Sequence, residues 1–260
     1  MDREESRLIK WYSDFQKQLV VYINRLQCQE KYAFILGHMR SGSTLLLHLL
    51  ASHPEIIAGG ERNKTYHDIE DLNTLALDIC KQQRIILSHG KIIIDQINHE
   101  KMTPNIDVLN YPGLKRIFLL RRPEETISSI VNTFEPIYGN WPVERGTRYY
   151  ISRINNIEQI AKGVSLPDNS ILIKYEDLIE ESSVTLERLQ KFLNLKHSLS
   201  TTYKLYRYTG YRGDPSNRIK SGKILKVEDR VKIDIPSHLL NEAVATYNKC
   251  LSSIENGCVD

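Results

Sequence analysis

The apolar run Tyr32-Ala33-Phe34-Ile35-Leu36 leads directly into Gly37-His38-Met39-Arg40-Ser41-Gly42-Ser43-Thr44, and then into Leu45-Leu46-Leu47-His48-Leu49-Leu50. A buried strand, a tight glycine-bounded loop and a leucine-rich helix follow one another without a break. The G-x-x-x-x-G spacing in this context is that of a phosphate-binding loop. Glycines let the backbone curl until successive N–H groups point inward, and the helix N-terminus adds positive potential. The residue after the second glycine, a lysine in loops that handle nucleoside triphosphates, is Ser43 here. That departure argues against ATP or GTP hydrolysis. Arg40 offers a cation from inside the loop instead.

The same alternation continues along the chain. Ile92–Ile94, Ile117–Leu120 and Ile171–Ile173 read as buried strands. Helices are expected over Asp68–Arg84, from Pro123 to about Thr133, and over Thr147–Lys162. Two more are expected, one capped by Ser182 or Ser183, the other opened by Pro236 with Leu240, Val244, Tyr247, Leu251 and Ile254 inward. Thr103-Pro104 reads as a helix start. Strands alternating with helices imply βαβ units. The expected fold is α/β: a single P-loop-type domain over residues 1–260, with a central parallel sheet flanked by helices. Leu8, Tyr12, Phe15, Leu19, Tyr22 and Leu26 form a helical stripe within residues 1–30, which packs on this domain or makes a homodimer. Residues 197–235 read as irregular.

Bulk properties exclude other classes. Lys plus Arg number 35 and Asp plus Glu 32, a net charge of +3 too balanced to imply nucleic-acid binding. The four cysteines, Cys28, Cys80, Cys250 and Cys258, lack a C-x-x-C pair, so neither a metal site nor a disulfide framework is expected. The chain shows no secretory h-region and no apolar run long enough to span a membrane, so a cytoplasmic location is expected.

A second anion site is suggested where the third strand ends in Arg121-Arg122-Pro123, with Ser129 eight residues after Arg121. An arginine at a strand end and a hydroxyl two turns into the next helix can converge on one anion.

Arg40-Ser41-Gly42-Ser43-Thr44-Leu45-Leu46 followed by Ala51-Ser52-His53-Pro54-Glu55 resembles the 5′-phosphosulfate loop of sulfotransferases that use PAPS (3′-phosphoadenosine 5′-phosphosulfate). The likeness is closest to the branch of the tyrosylprotein sulfotransferases and their bacterial relatives. It implies that Arg40, Ser41, Gly42, Ser43, Thr44 and Leu45 grip the 5′-phosphate and sulfuryl oxygens. It implies a 3′-phosphate site at Arg121 and Ser129, although the family often has Asp where this chain has Arg122. Tyr175, in Tyr175-Glu176-Asp177-Leu178, would lie near the adenine, and one of Arg218, Lys220, Ser221 and Lys223 in the basic segment 213–223 would reach the 3′-phosphate. No metal is implied.

The resemblance also offers a base. Glu61 lies 21 residues after Arg40, the offset of the general base in the tyrosylprotein branch. His99 is the rival, by analogy with the cytosolic small-molecule branch, and His38 could touch the acceptor. Many relatives carry a lysine after the second strand, near whose place Gln96 stands. The expected reaction is sulfuryl transfer from PAPS to an acceptor hydroxyl, leaving PAP. The acceptor is a small molecule, glycan, lipid or peptide, lined by segments 62–90 and 134–150 with Tyr66, His67, Phe134, Tyr138 and Trp141. A P-loop kinase and a PAP-binding protein without catalysis are the alternatives.

Overall fold

Buried on both faces, the strands of an all-parallel sheet must be nearly continuous apolar runs, and the runs read from the sequence pair in that way. The computed structural model describes residues 11–12, 14–15, 31–83, 90–139, 141–165, 167–210, 217–226 and 233–257. In the sheet, β1 (Lys31–Leu36) is central. It pairs in parallel with β3 (Ile92–Ile97) on one side and β4 (Leu114–Leu120) on the other. β2 (Ile56–Ala58) extends the sheet beyond β3, and β5 (Ser170–Lys174) extends it beyond β4.

Alternation along the strands divides the core into two layers. Tyr32, Phe34 and Leu36 face one layer with α2 (Ile69–Gln83), α4 (Pro123–Tyr138), α5 (Val143–Gly163) and α8 (Ser237–Glu255). Ala33 and Ile35 face the other, with α1 (Ser43–Ala51) and α7 (Ser182–Leu193). Two short helices, α3 (Ile106–Leu109) and α6 (Tyr175–Glu180), join these elements. The chain therefore leaves β1 and β4, which are neighbours, toward opposite faces of the sheet. A crevice opens beyond the carboxyl ends of strands at such a switch point.

Several expectations shift. β3 runs on to Ile97, because its backbone stays paired with β1 while Asp95 and Gln96 bring polar side chains to the sheet. α3 starts at Ile106 with Asn105 at the N-cap position, so Thr103-Pro104 precedes the helix. Ser182 is the first residue of α7 rather than its cap, since its hydroxyl donates back to the Leu178 carbonyl at 2.8 Å. The inward face of α8 is Leu239, Ala243, Tyr247, Cys250 and Ile254, and Val244 is 38% exposed. α8 packs along α5, and Ala243 and Cys250 are fully buried in the same core layer, so the buried stripe is rotated from the leucine-based reading. Of the N-terminal stripe only Tyr12 and Phe15 are described, both exposed; the rest lies outside the described residues. Cys80 and Cys250 are free thiols, and Cys28 and Cys258 lie outside the described residues.

Candidate active site

The loop after β1 owes its curl to two left-handed residues, Arg40 at φ 64° and Gly42 at φ 92°. No side chain caps the start of α1, whose N-cap is Gly42. The Ser41 hydroxyl is buried without a hydrogen-bond partner. Uncapped N–H groups and an orphaned hydroxyl are what an anion would satisfy. Ser43 is buried, and Thr44 and Leu45 are half-buried at the first turn.

Gly42 is also required sterically. A Cβ there would stand 2.4 Å from Cδ2 of Tyr175, whose ring lies on the loop. Gly42→Ala should therefore lower stability by about 1–2 kcal/mol from the left-handed backbone alone, with a further cost for moving the ring. Thermal denaturation of the variant checks this.

The second anion group is continuous with the first. Arg40 Nε donates to Ser129 Oγ at 3.1 Å, and Arg121 Nη1 donates to the Arg40 carbonyl at 2.8 Å. The Arg121 guanidinium stacks 4.5 Å above the Tyr175 ring, and its Nε and Nη2 are buried with no partner. Arg40, Gly42, Arg121, Ser129 and Tyr175 thus meet at one place. Beside them Arg122 N–H donates to Glu176 at 3.1 Å.

His38 does not reach toward an acceptor. It is fully buried, its Nδ1 pairs with the Met39 carbonyl at 3.0 Å, and its Nε2 accepts the Arg121 N–H at 3.2 Å. Burial pulls its pKa down to about 4, so the neutral ring ties the two anion-binding segments together.

On the other side of β1 lie the two candidate bases. Glu61, half-buried after β2, accepts a hydrogen bond from Asn98 Nδ2 at 3.1 Å. Its neighbour Arg62 pairs with Asp78 at 3.4 Å and with Gln82. His99 sets its ring against Tyr149 at 6.3 Å, with its pKa lowered by burial and partly restored by the Glu61 charge. Gln96 is buried within β3, and Asn98 is the first residue past the strand.

Three residues of α5 were not singled out from the sequence. Tyr149 accepts the Met39 N–H and donates to the Asn98 carbonyl, both at 2.9 Å. Tyr150 donates to the Arg121 carbonyl at 2.8 Å. Arg153, fully buried, holds the Gly37 carbonyl at 2.8 Å and the Ile97 carbonyl at 2.6 Å. One helix thereby fixes the ends of β1, β3 and β4. The available signal was polar: Tyr149, Tyr150 and Arg153 share a helical face that continues into buried Ile154 and Ile157.

Other expected residues sit elsewhere. Ser221 Oγ donates to the Lys223 carbonyl at 2.9 Å, and Lys223 bridges to Thr202. Their described contacts are with this local turn and not with the loop after β1. Tyr66 is a core residue rather than an acceptor contact, because its hydroxyl is consumed by Asp95 at 2.6 Å. His67 is exposed, its N–H bound to Asp71 at 2.8 Å. Phe134, Tyr138 and Trp141 cluster at the end of α4, with Arg145 stacked 3.8 Å over Trp141.

Burial pushes Asp95 up to about 7 from an ordinary 3.8, so the folded protein retains a proton that the unfolded chain releases. Stability from this group is present below about pH 4 and is lost as pH rises to about 7. His38 has the opposite sign, its contribution being lost as pH falls from 6.5 to about 4. The two offset each other in acid. Asp95→Asn should raise stability above pH 7 by on the order of a few kcal/mol. The variant should then lose melting temperature from pH 6.5 to 4 more steeply than the parent, as calorimetry across pH would show.

A family model described as the sulfotransferase family matches residues 33–100, which span the loop, Glu61 and Asn98. A Caenorhabditis briggsae protein named as a putative protein-tyrosine sulfotransferase is 23% identical over 189 residues, covering 65% of this chain and 67% of its own length. Among solved structures, the sulfotransferase domain of the Synechococcus PCC 7002 olefin synthase aligns with a TM-score of 0.57 at 18% identity, covering 89% of this chain and 96% of that one. The sulfotransferase domain of the curacin biosynthetic pathway aligns at 0.54 and 18%, covering 85% and 99%. The chain is thus similar to sulfotransferases in the segment that carries the loop, Glu61 and Asn98, and it shares the fold of two sulfotransferase domains.

Proposed function

We propose that this protein transfers the sulfuryl group of PAPS to an acceptor hydroxyl by in-line displacement. The observation that carries the reading is the buried Arg121 guanidinium, stacked on Tyr175 with two nitrogens unpartnered, beside Arg40 and Ser129. An anchored cation with its donors unspent is suited to a 3′-phosphate, and the adjoining nest to a 5′-phosphosulfate. The bond from sulfur to the 5′-phosphate oxygen breaks as a bond from sulfur to the acceptor oxygen forms. Glu61 takes the acceptor's proton, and PAP departs. Arg40 and the loop N–H groups stabilise charge on the sulfuryl and leaving oxygens.

The test is isothermal titration with PAP beside ATP and magnesium. Micromolar or tighter PAP binding, corresponding to about −8 kcal/mol, supports the reading and justifies an acceptor screen with labelled PAPS. Magnesium-dependent ATP binding without PAP binding would overturn it.

A further inference from the structure

Asn98 is 5% exposed and touches both halves of the candidate site. Its carbonyl accepts the Tyr149 hydroxyl, which itself holds the Met39 N–H of the anion loop. Its side-chain amide donates to Glu61 at 3.1 Å. That orientation follows from chemistry, because an ionised carboxylate only accepts and must face the N–H₂ end. The other end of the amide, Oδ1, is buried and unpartnered. It lies near the equally unpartnered Ser41 hydroxyl, since a Cβ built on Gly37 would stand 3.3 Å from Oδ1 and 2.8 Å from Ser41 Oγ. Gly37 therefore lacks a side chain where these two groups converge.

We infer that Asn98 is the positioning residue that fixes Glu61 relative to the sulfuryl group held in the anion loop. The inference rests on the reading of Glu61 as base. One oxygen of Glu61 is occupied by the amide, which leaves the other to take the acceptor's proton. The backbone of Asn98 is registered to the loop through Tyr149. Loop, amide and carboxylate thus form one chain of hydrogen bonds from Met39 to Glu61. Distance and angle between donor and base are set by it rather than by the half-buried loop that carries Glu61.

A double-mutant cycle tests this. Asn98→Ala and Asn98→Asp are made in the parent and in Glu61→Gln, with kcat, acceptor KM and PAP affinity measured for each. Asn98→Ala in the parent should lose about tenfold to a hundredfold in kcat, the scale of one charge-assisted hydrogen bond, with PAP affinity within about twofold. Asn98→Asp keeps the shape but loses the N–H₂ donor, and should lose at least as much. In the Glu61→Gln background the further loss should shrink to about twofold. The same loss in both backgrounds, or PAP affinity falling in step with kcat, would overturn the inference. If Glu61→Gln alone keeps full turnover, the base reading fails, and an Asn98 effect persisting there shows Asn98 acting without Glu61. A melting curve of each variant is recorded alongside, and should Asn98→Ala prove unfolded by that measure, the isosteric Asp variant carries the comparison under the same criteria.

Discussion

Glu61→Gln should reduce turnover by about 10²–10⁴-fold, the range of a lost general base, and leave PAP affinity within about twofold. Glutamine keeps the shape and the oxygen that accepts from Asn98 Nδ2 at 3.1 Å, so the local hydrogen bond survives. What it loses is the capacity to accept a proton. A steady-state assay with labelled PAPS, run beside titration with PAP, separates these roles. Full turnover in the variant removes Glu61 from the mechanism and turns attention to His99, whose burial keeps its ring toward the neutral, basic form. His99→Phe should cost much less than Glu61→Gln if the carboxylate is the base.

Arg121→Met should weaken PAP binding by roughly a thousandfold while leaving the unliganded protein no less stable. The two effects have one cause. In the free protein Nη1 is held by the Arg40 carbonyl, and Nε and Nη2 are buried without partners. An incompletely paired buried cation is a burden on the fold, only partly offset by stacking on Tyr175. With an anion bound, each of the two nitrogens gains a charge-assisted hydrogen bond of about 1.5–3 kcal/mol. Methionine fills similar volume without the charge. Titration with PAP and a melting curve of the free variant read the two quantities separately. A variant that melts many degrees lower would show Arg121 to be structural.

The parts of this site that were legible in the sequence are local ones. Gly37 to Thr44 announce a loop because strand, glycines and helix are contiguous. Arg121 and Ser129 stand at a strand end and two turns into the next helix. The parallel sheet was legible for the same reason, each buried strand being a short apolar run. Asn98, Tyr149 and Arg153 were hidden, because their roles come from contacts over long sequence separations, such as 116 residues from Arg153 to Gly37. Strand boundaries also obscured Asn98: β3 continues through Asp95 and Gln96 on backbone pairing alone, so hydropathy places its end too early. Tyr66 failed as an acceptor contact because its fate depends on Asp95, a partner 29 residues away.

The order of the sheet bears on how a site built on this fold can diversify. The proposed nucleotide contacts at Arg121, Ser129 and Tyr175 descend from the β4–β5 side of β1, and Glu61 and Asn98 from the β2–β3 side. On the proposed reading, substitutions on the β2–β3 flank would act on the acceptor side and leave the nucleotide side of the site unchanged. The price of this freedom falls on α5, whose Tyr149, Tyr150 and Arg153 touch both flanks. A helix that must satisfy two histories at once is the segment where change should be slowest, and a chimaera exchanging the β2–β3 flank between relatives should carry α5 with it.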